Sequence, residues 1–240
     1  MPTARRPRAD PMPTSPRAPS VVFFDLDGTL TDPKPGITGC IQYALERLGE
    51  PVPGQDALEW CIGPPLIDSF EKLVGVERAG QGVDLYRERF GDVGLFENQV
   101  YPGIPAALSS LLECDLRLFV ASSKPKVYVD RILEHFDLVA YFEKSYGSNL
   151  DGTRTDKREL LWHALATERV VAAEAMMVGD RGADAVGALH NEMPFLGVLY
   201  GYGSRKELEQ AGATRFAARP RDLVASRVEG RLRIRRARTR

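Results

Sequence analysis

Several things are scarce in this sequence, and each shortage removes a class of protein. There are three cysteines and three histidines in 240 residues. Cys40, Cys61 and Cys114 have neither an even count nor metal-ligand spacing, so neither a disulfide framework nor a thiolate metal site is expected. Reduced thiols in a cytoplasmic protein are the expectation. His135, His163 and His190 lack companions at ligand spacing and are read as core or surface residues. No apolar run approaches the roughly 18 residues that a membrane-spanning helix needs. Charge of one sign is also missing. The net charge of -1 gives no overall pull toward nucleic acid or a membrane surface. No internal repeat is visible.

What is present is ordinary for a soluble globular chain, with 43% hydrophobic and 27% charged residues. The length suits one large domain, or a core domain carrying an insertion. The ends differ from the middle. Residues 1–19 are rich in Pro, Arg, Ser and Thr with almost nothing apolar, so a disordered tail is expected. They lack the apolar stretch of a secretory signal. Residues 227–240 are arginine-rich and read as a solvated basic tail.

The informative stretch is Val21-Val22-Phe23-Phe24-Asp25-Leu26-Asp27-Gly28-Thr29-Leu30. Four consecutive apolar residues, β-branched or aromatic, predict a short strand buried on both faces. Two carboxylates one residue apart then stand where the strand ends. Buried carboxylates are costly unless they meet a cation or do chemistry. Gly28 can take a left-handed turn that brings backbone N–H groups near a ligand, and Thr29 adds a hydroxyl. A calcium loop is the competing reading. It would require a flanking helix and a glutamate at its twelfth position, where Gly36 stands.

From residue 33 to 100 only helical periodicity appears, with Ile41, Ala44, Leu45 and Leu48 on one face and Ile67, Phe70, Leu73 and Val74 on another. Trp60, Phe70 and Phe90 are read as the core of this block. Beyond Tyr101, strands alternate with helices, with strands expected over Leu116–Ala121, Phe142–Tyr146, Ala175–Val178 and Phe195–Tyr200. The pattern predicts an α/β fold with a doubly wound, mostly parallel, Rossmann-like sheet built from 20–32 and 101–226, and an α-helical cap over 33–100. In such sheets ligands bind beyond the carboxyl ends of the strands. Asp25, Asp27, Ser122 and Asp180 each follow an apolar run, so all should converge on one rim, with Lys157 opening a helix nearby. Carboxylate oxygens in that number suit Mg²⁺. A hydroxyl, a turn of backbone N–H groups and a lysine suit the charge of a transferring phosphoryl group.

FDLDGTL at 24–30, VASSKP at 120–125, the later lysine and GDRGAD at 179–184 together resemble the haloacid dehalogenase superfamily. The resemblance covers about Val21 to Val224. With GLFENQVYPGI, GSNLDGTRTDK and GVLYGYG it extends to a branch of phosphoglycolate phosphatase-like and 5′-nucleotidase-like proteins with a small helical cap. It implies a Mg²⁺-dependent phosphatase acting on a small phosphomonoester, a nucleoside 5′-monophosphate or phosphoglycolate, through an aspartyl-phosphate. By the same resemblance Asp25 is the nucleophile and Asp27 the general acid and base. Ser122 and Lys157 bind phosphate charge. The Asp25 carboxylate, the Asp27 main-chain carbonyl and Asp180 hold the metal, and Asp184 orients the metal shell or Lys157. Lys124 is a rival to Lys157 as phosphate ligand, and Ser122 is also a candidate helix cap before Pro125. Ile62-Gly63-Pro64-Pro65-Leu66 is expected to dip toward the site. A phosphosugar mutase of the same fold and a receiver-like signalling module are the other readings.

Overall fold

The computed structural model describes residues 19–225. The expected tails over 1–19 and 227–240 lie outside the described residues, apart from residue 19. The four apolar residues of β1 (Val21–Phe24) form the centre of a six-stranded parallel sheet. On one side β1 pairs with β4 (Arg117–Pro125) and on the other with β6 (Ala175–Gly179), in register at Val22↔Leu118 and Val22↔Met176. The outer strands are β5 (Lys144–Ser148) beside β4, then β7 (Phe195–Val198) and β8 (Phe216–Ala217) beyond β6, giving the order β5-β4-β1-β6-β7-β8. Strand alternation sends Val22 and Phe24 to one face and Val21 and Phe23 to the other. Both faces are covered, and for that reason no polar alternation appears in the sequence.

Helices α4 (Ile104–Leu112), α5 (Lys126–His135), α6 (Lys157–Glu168), α7 (Gly182–His190) and α8 (Arg205–Gln210) connect these strands. Their starts are set locally: Asp156 caps α6 by accepting from the Arg158 N–H at 2.8 Å, and Ser204 caps α8 by accepting from the Glu207 N–H at 3.1 Å. The helical block between the first and second core strands comprises α1 (Lys34–Leu48), a 3₁₀ turn (Gln55–Cys61), α2 (Leu66–Val74) and α3 (Val76–Arg89), which ends in a π turn (Phe90–Gly94). Gly49 ends α1 in the left-handed region, at φ 71°. The apolar interior of this insert is continuous with the Val22/Phe24 face of the sheet through Leu26, Leu30 and Leu95.

Three expectations need correction. A two-stranded antiparallel ribbon, β2 (Thr31–Asp32) with β3 (Gln99–Val100), joins the insert to the sheet domain and was not foreseen. Two-residue strands carry no periodicity, so their pairing is legible only in three dimensions. Next, β4 does not end at Ala121: pairing with β5 continues through Ser122↔Gly147 to Pro125↔Ser148 across an irregular register. Ser122 is therefore a strand residue and not a helix cap; its Oγ accepts from the Lys124 N–H at 3.3 Å. Finally, Trp60 is 40% exposed while Phe70 and Phe90 are buried. The 3₁₀ turn directs Leu58 and Cys61 inward and leaves Trp60 beside the Lys72 ammonium, 5.4 Å from its ring centre.

Candidate functional site

The parallel sheet brings its carboxyl ends to one rim, and the polar residues after β1, β4 and β6 meet there. Asp25 is held by the neighbouring strand, its N–H donating to the Val178 carbonyl at 2.9 Å. Lys157, at the first turn of α6, reaches across with three acceptors around its ammonium. These are Asp25 Oδ1 at 3.0 Å, Asp184 Oδ1 at 2.7 Å and the Ala121 carbonyl at 2.9 Å. Burial by itself would lower the Lys157 pKa, but Asp184 and Asp25 outweigh it and hold it raised, so the cation is permanent.

Lys124 occupies a different place. Its Nζ lies 2.8 Å from Asp27 Oδ2 and 4.7 Å from the centre of the Phe90 ring of the insert. The two rival lysines are thus both inside the site, one on each member of the Asp-x-Asp pair. Burial raises the Asp27 pKa, opposed by Lys124.

Asp180 is enclosed by main chain. Thr29 Oγ1 donates to Oδ1 at 3.3 Å and the Tyr202 N–H to Oδ2 at 2.8 Å. A Cβ on Gly28, which sits at φ +81°, would fall 2.2 Å from Asp180 Oδ2; one on Gly203 would fall 1.8 Å from the Asp180 carbonyl oxygen. The GVLYGYG stretch, noticed in the sequence only as a mark of resemblance, is therefore the wall of the acidic pocket. Burial, reinforced by Asp184 and Asp25, pushes the Asp180 carboxyl up to about 8. Burial also raises Asp184, against the pull of Lys157.

Asp25, Asp180 and Asp184 each place a carboxylate oxygen within 4.8 Å of the others. With the half-buried Asp27, four carboxylates face two ammonium groups, and the Asp27 Oδ1 atom is itself buried with no hydrogen-bond partner. The charge deficit and the all-oxygen donor set fit a hard divalent cation such as Mg²⁺. Asp184 has both oxygens engaged, with Lys157 and with the Arg181 N–H at 3.1 Å. The Asp27 carboxylate stands outside the three-carboxylate group, beside Lys124.

Above this floor lies a cavity of about 570 Å³, lined at its base by Asp25, Asp27, Ser122 and Lys157. Its roof comes from the insert: Pro64, Pro65, Ile67 and Val83. The Ile62–Leu66 loop does reach the site. None of the three histidines lines the cavity. His135 packs on Phe96 and Phe136, His163 bonds Arg154, and His190 is exposed. The main residue missed in the sequence is Arg181, whose guanidinium crosses from the sheet domain to the Ile62 carbonyl. Its only sequence signal is its place inside GDRGAD.

The model of the haloacid dehalogenase-like hydrolase family matches residues 22–198. A 5′-nucleotidase of Pseudomonas aeruginosa is 46% identical over 86% of this chain and 93% of its own length. The tyrosine-protein kinase PtkA of Mycobacterium tuberculosis is 36% identical over 82% of this chain and 68% of its own. Among solved structures, that of a predicted phosphatase from Clostridium acetobutylicum superposes with a TM-score of 0.85. It is 41% identical and covers 89% of this chain and all of the other. The chain belongs to the haloacid dehalogenase-like hydrolase family. With these relatives it falls among the phosphoric monoester hydrolases. No helix among the described residues is long and apolar enough to cross a membrane.

Proposed function

We propose that the protein is a Mg²⁺-dependent phosphatase that hydrolyses nucleoside 5′-monophosphates through an aspartyl-phosphate on Asp25. The observation that carries this reading is the convergence of Asp25, Asp27, Ser122, Lys157 and Asp180 beneath a roofed cavity. Lys157 holds Asp25 Oδ1, which orients the other oxygen for in-line attack on phosphorus. As the new O–P bond forms, the bond to the leaving oxygen breaks. Asp27, favoured in its protonated form by burial, supplies the proton that makes the leaving group an alcohol. Asp27 then takes a proton from water, whose oxygen attacks phosphorus and frees Asp25 and inorganic phosphate. Ser122 donates to a phosphoryl oxygen throughout. Asp25, Asp180 and the Asp27 carbonyl would hold Mg²⁺, with Asp184 steadying the shell. The ion would screen the repulsion between nucleophile and phosphate.

Cavity size supports the nucleoside monophosphate over phosphoglycolate. About 570 Å³ is a normal volume for a drug-sized ligand, and a two-carbon leaving group would leave most of it empty.

The test is release of inorganic phosphate from nucleoside monophosphates, phosphoglycolate, sugar phosphates and an aryl phosphate, each with Mg²⁺ and with EDTA. Metal-dependent release led by a nucleoside monophosphate is expected. Release led by phosphoglycolate would overturn the substrate class. No release, with activity appearing only on a bisphosphate activator or as transfer to a protein tyrosine, would overturn the phosphatase.

A further inference from the structure

Two arginines bridge the insert and the sheet domain in opposite directions. Arg87 of α3 donates from Nη2 to the Leu150 carbonyl of the sheet domain at 3.0 Å. Arg181, in the turn after β6, donates from Nη1 to the Ile62 carbonyl of the insert. Both line the cavity.

Arg181 is the one whose aim is built into the fold. Glu207 Oε1 accepts from Arg181 Nε at 3.0 Å and also from the Gly182 N–H at 2.8 Å, so the carboxylate is pinned by main chain. Glu207 belongs to α8, whose cap Ser204 ends the same turn that supplies the Tyr202 N–H to Asp180. On the insert side, Gly63 sits at φ +105°, and a Cβ there would lie 3.1 Å from the Arg181 side chain. The two prolines that follow restrict the loop further. A half-exposed ion pair such as Arg181–Glu207 adds little to stability. Its geometric effect is larger, because it fixes a guanidinium against the Ile62–Leu66 loop of the cavity roof.

We propose that Arg181, aimed by Glu207, is a positioning residue that docks the Gly63–Pro65 loop over the acidic turn and so sets the height of the roof. The pair then discriminates between phosphomonoesters whose leaving group reaches that roof and those too small to touch it. This inference rests on the phosphatase reading above.

The experiment compares Arg181→Gln, Arg181→Lys and Glu207→Gln with the unaltered enzyme on adenosine 5′-monophosphate and on phenyl phosphate. In parallel, hydrogen exchange is followed over residues 61–67 in metal-free protein. Arg181→Gln is expected to raise KM for the nucleotide about tenfold, the weight of one charge-assisted hydrogen bond, with a much smaller change on phenyl phosphate. Arg181→Lys should recover part of the loss, and Glu207→Gln should fall between. Exchange over 61–67 should quicken in Arg181→Gln and Glu207→Gln. Equal losses on both substrates would overturn the proposal, as would unchanged exchange. If the unaltered enzyme hydrolyses neither substrate, the phosphatase reading fails and the exchange result alone decides the docking role.

Discussion

Asp180 offers a prediction whose sign and size both come from the site. Its carboxyl is raised from 3.8 to about 8 by burial and by Asp184 and Asp25. In the unfolded chain it would lose its proton near 3.8, so between about pH 4 and pH 8 the folded protein holds a proton that the unfolded one does not. Stability of the metal-free protein must therefore fall as pH rises through this window. Some four pH units at about 1.4 kcal/mol each make the penalty on the order of 5 kcal/mol at pH 8. Asp180→Asn removes it without loss of hydrogen bonds. The amide oxygen still accepts from the Tyr202 N–H, and the Thr29 hydroxyl can turn to accept from the amide NH₂. In EDTA at pH 8 the variant should melt about 10–20 °C above the unaltered protein, since 1 kcal/mol shifts Tm by roughly 2–4 °C in a domain of this size. At pH 5.5 the gap should shrink. Mg²⁺ should raise Tm of the unaltered protein, increasingly so toward pH 8, and leave the variant nearly unmoved. Thermal unfolding by circular dichroism at four pH values, with and without Mg²⁺, reads all of this. A flat pH profile in EDTA, or a variant no more stable than its parent, would refute the electrostatic account of the acidic pocket.

Asp25→Asn should abolish phosphate release with the fold and Tm retained, and measurable multiple turnover would remove Asp25 as nucleophile. Lys157→Met leaves Asp25 and Asp184 buried without their common cation, so urea unfolding at pH 7.5 should show a loss of about 3–5 kcal/mol. A loss under 1 kcal/mol would show that the lysine is not the charge holding them. Gly203→Ala places a methyl against the Asp180 main chain, where no flexible side chain can yield. It should cost about 1–3 kcal/mol and weaken Mg²⁺-induced stabilisation. A neutral outcome would show that the glycine wall is not tight.

The insert and the sheet domain share one apolar interior. Leu26, Leu30 and Leu95 lie where the ribbon β2–β3 carries the chain between them. Tyr202 adds a bond from its hydroxyl to Asp32 of that ribbon, and its main-chain N–H holds Asp180. The chain connections of the insert therefore lie beside the acidic pocket, and Arg87 and Arg181 add two further side-chain links between insert and sheet domain.

Much of the site was legible in one dimension because strand ends are legible. An apolar run followed at once by Asp25 or Asp180 marks a carboxyl end, and a parallel sheet brings such ends to one rim whatever the loops do. The helices α1, α2 and α3 were equally readable from their periodicity, whereas the short strand β3 was not. Tertiary structure alone decided the rest. Lys124 and Lys157 look alike as letters, but only the packing of α6 against β4 sends Lys157 to Asp25 and Asp184, while the irregular end of β4 turns Lys124 toward Asp27. Ser122 changed from cap to strand because β5 keeps pairing past Ala121. Arg181 and Ile62 are 119 residues apart, and no local pattern relates them. Spacing along the chain encodes which groups reach the rim; the contacts among them depend on the surrounding main chain, which the sequence specifies only through the complete fold.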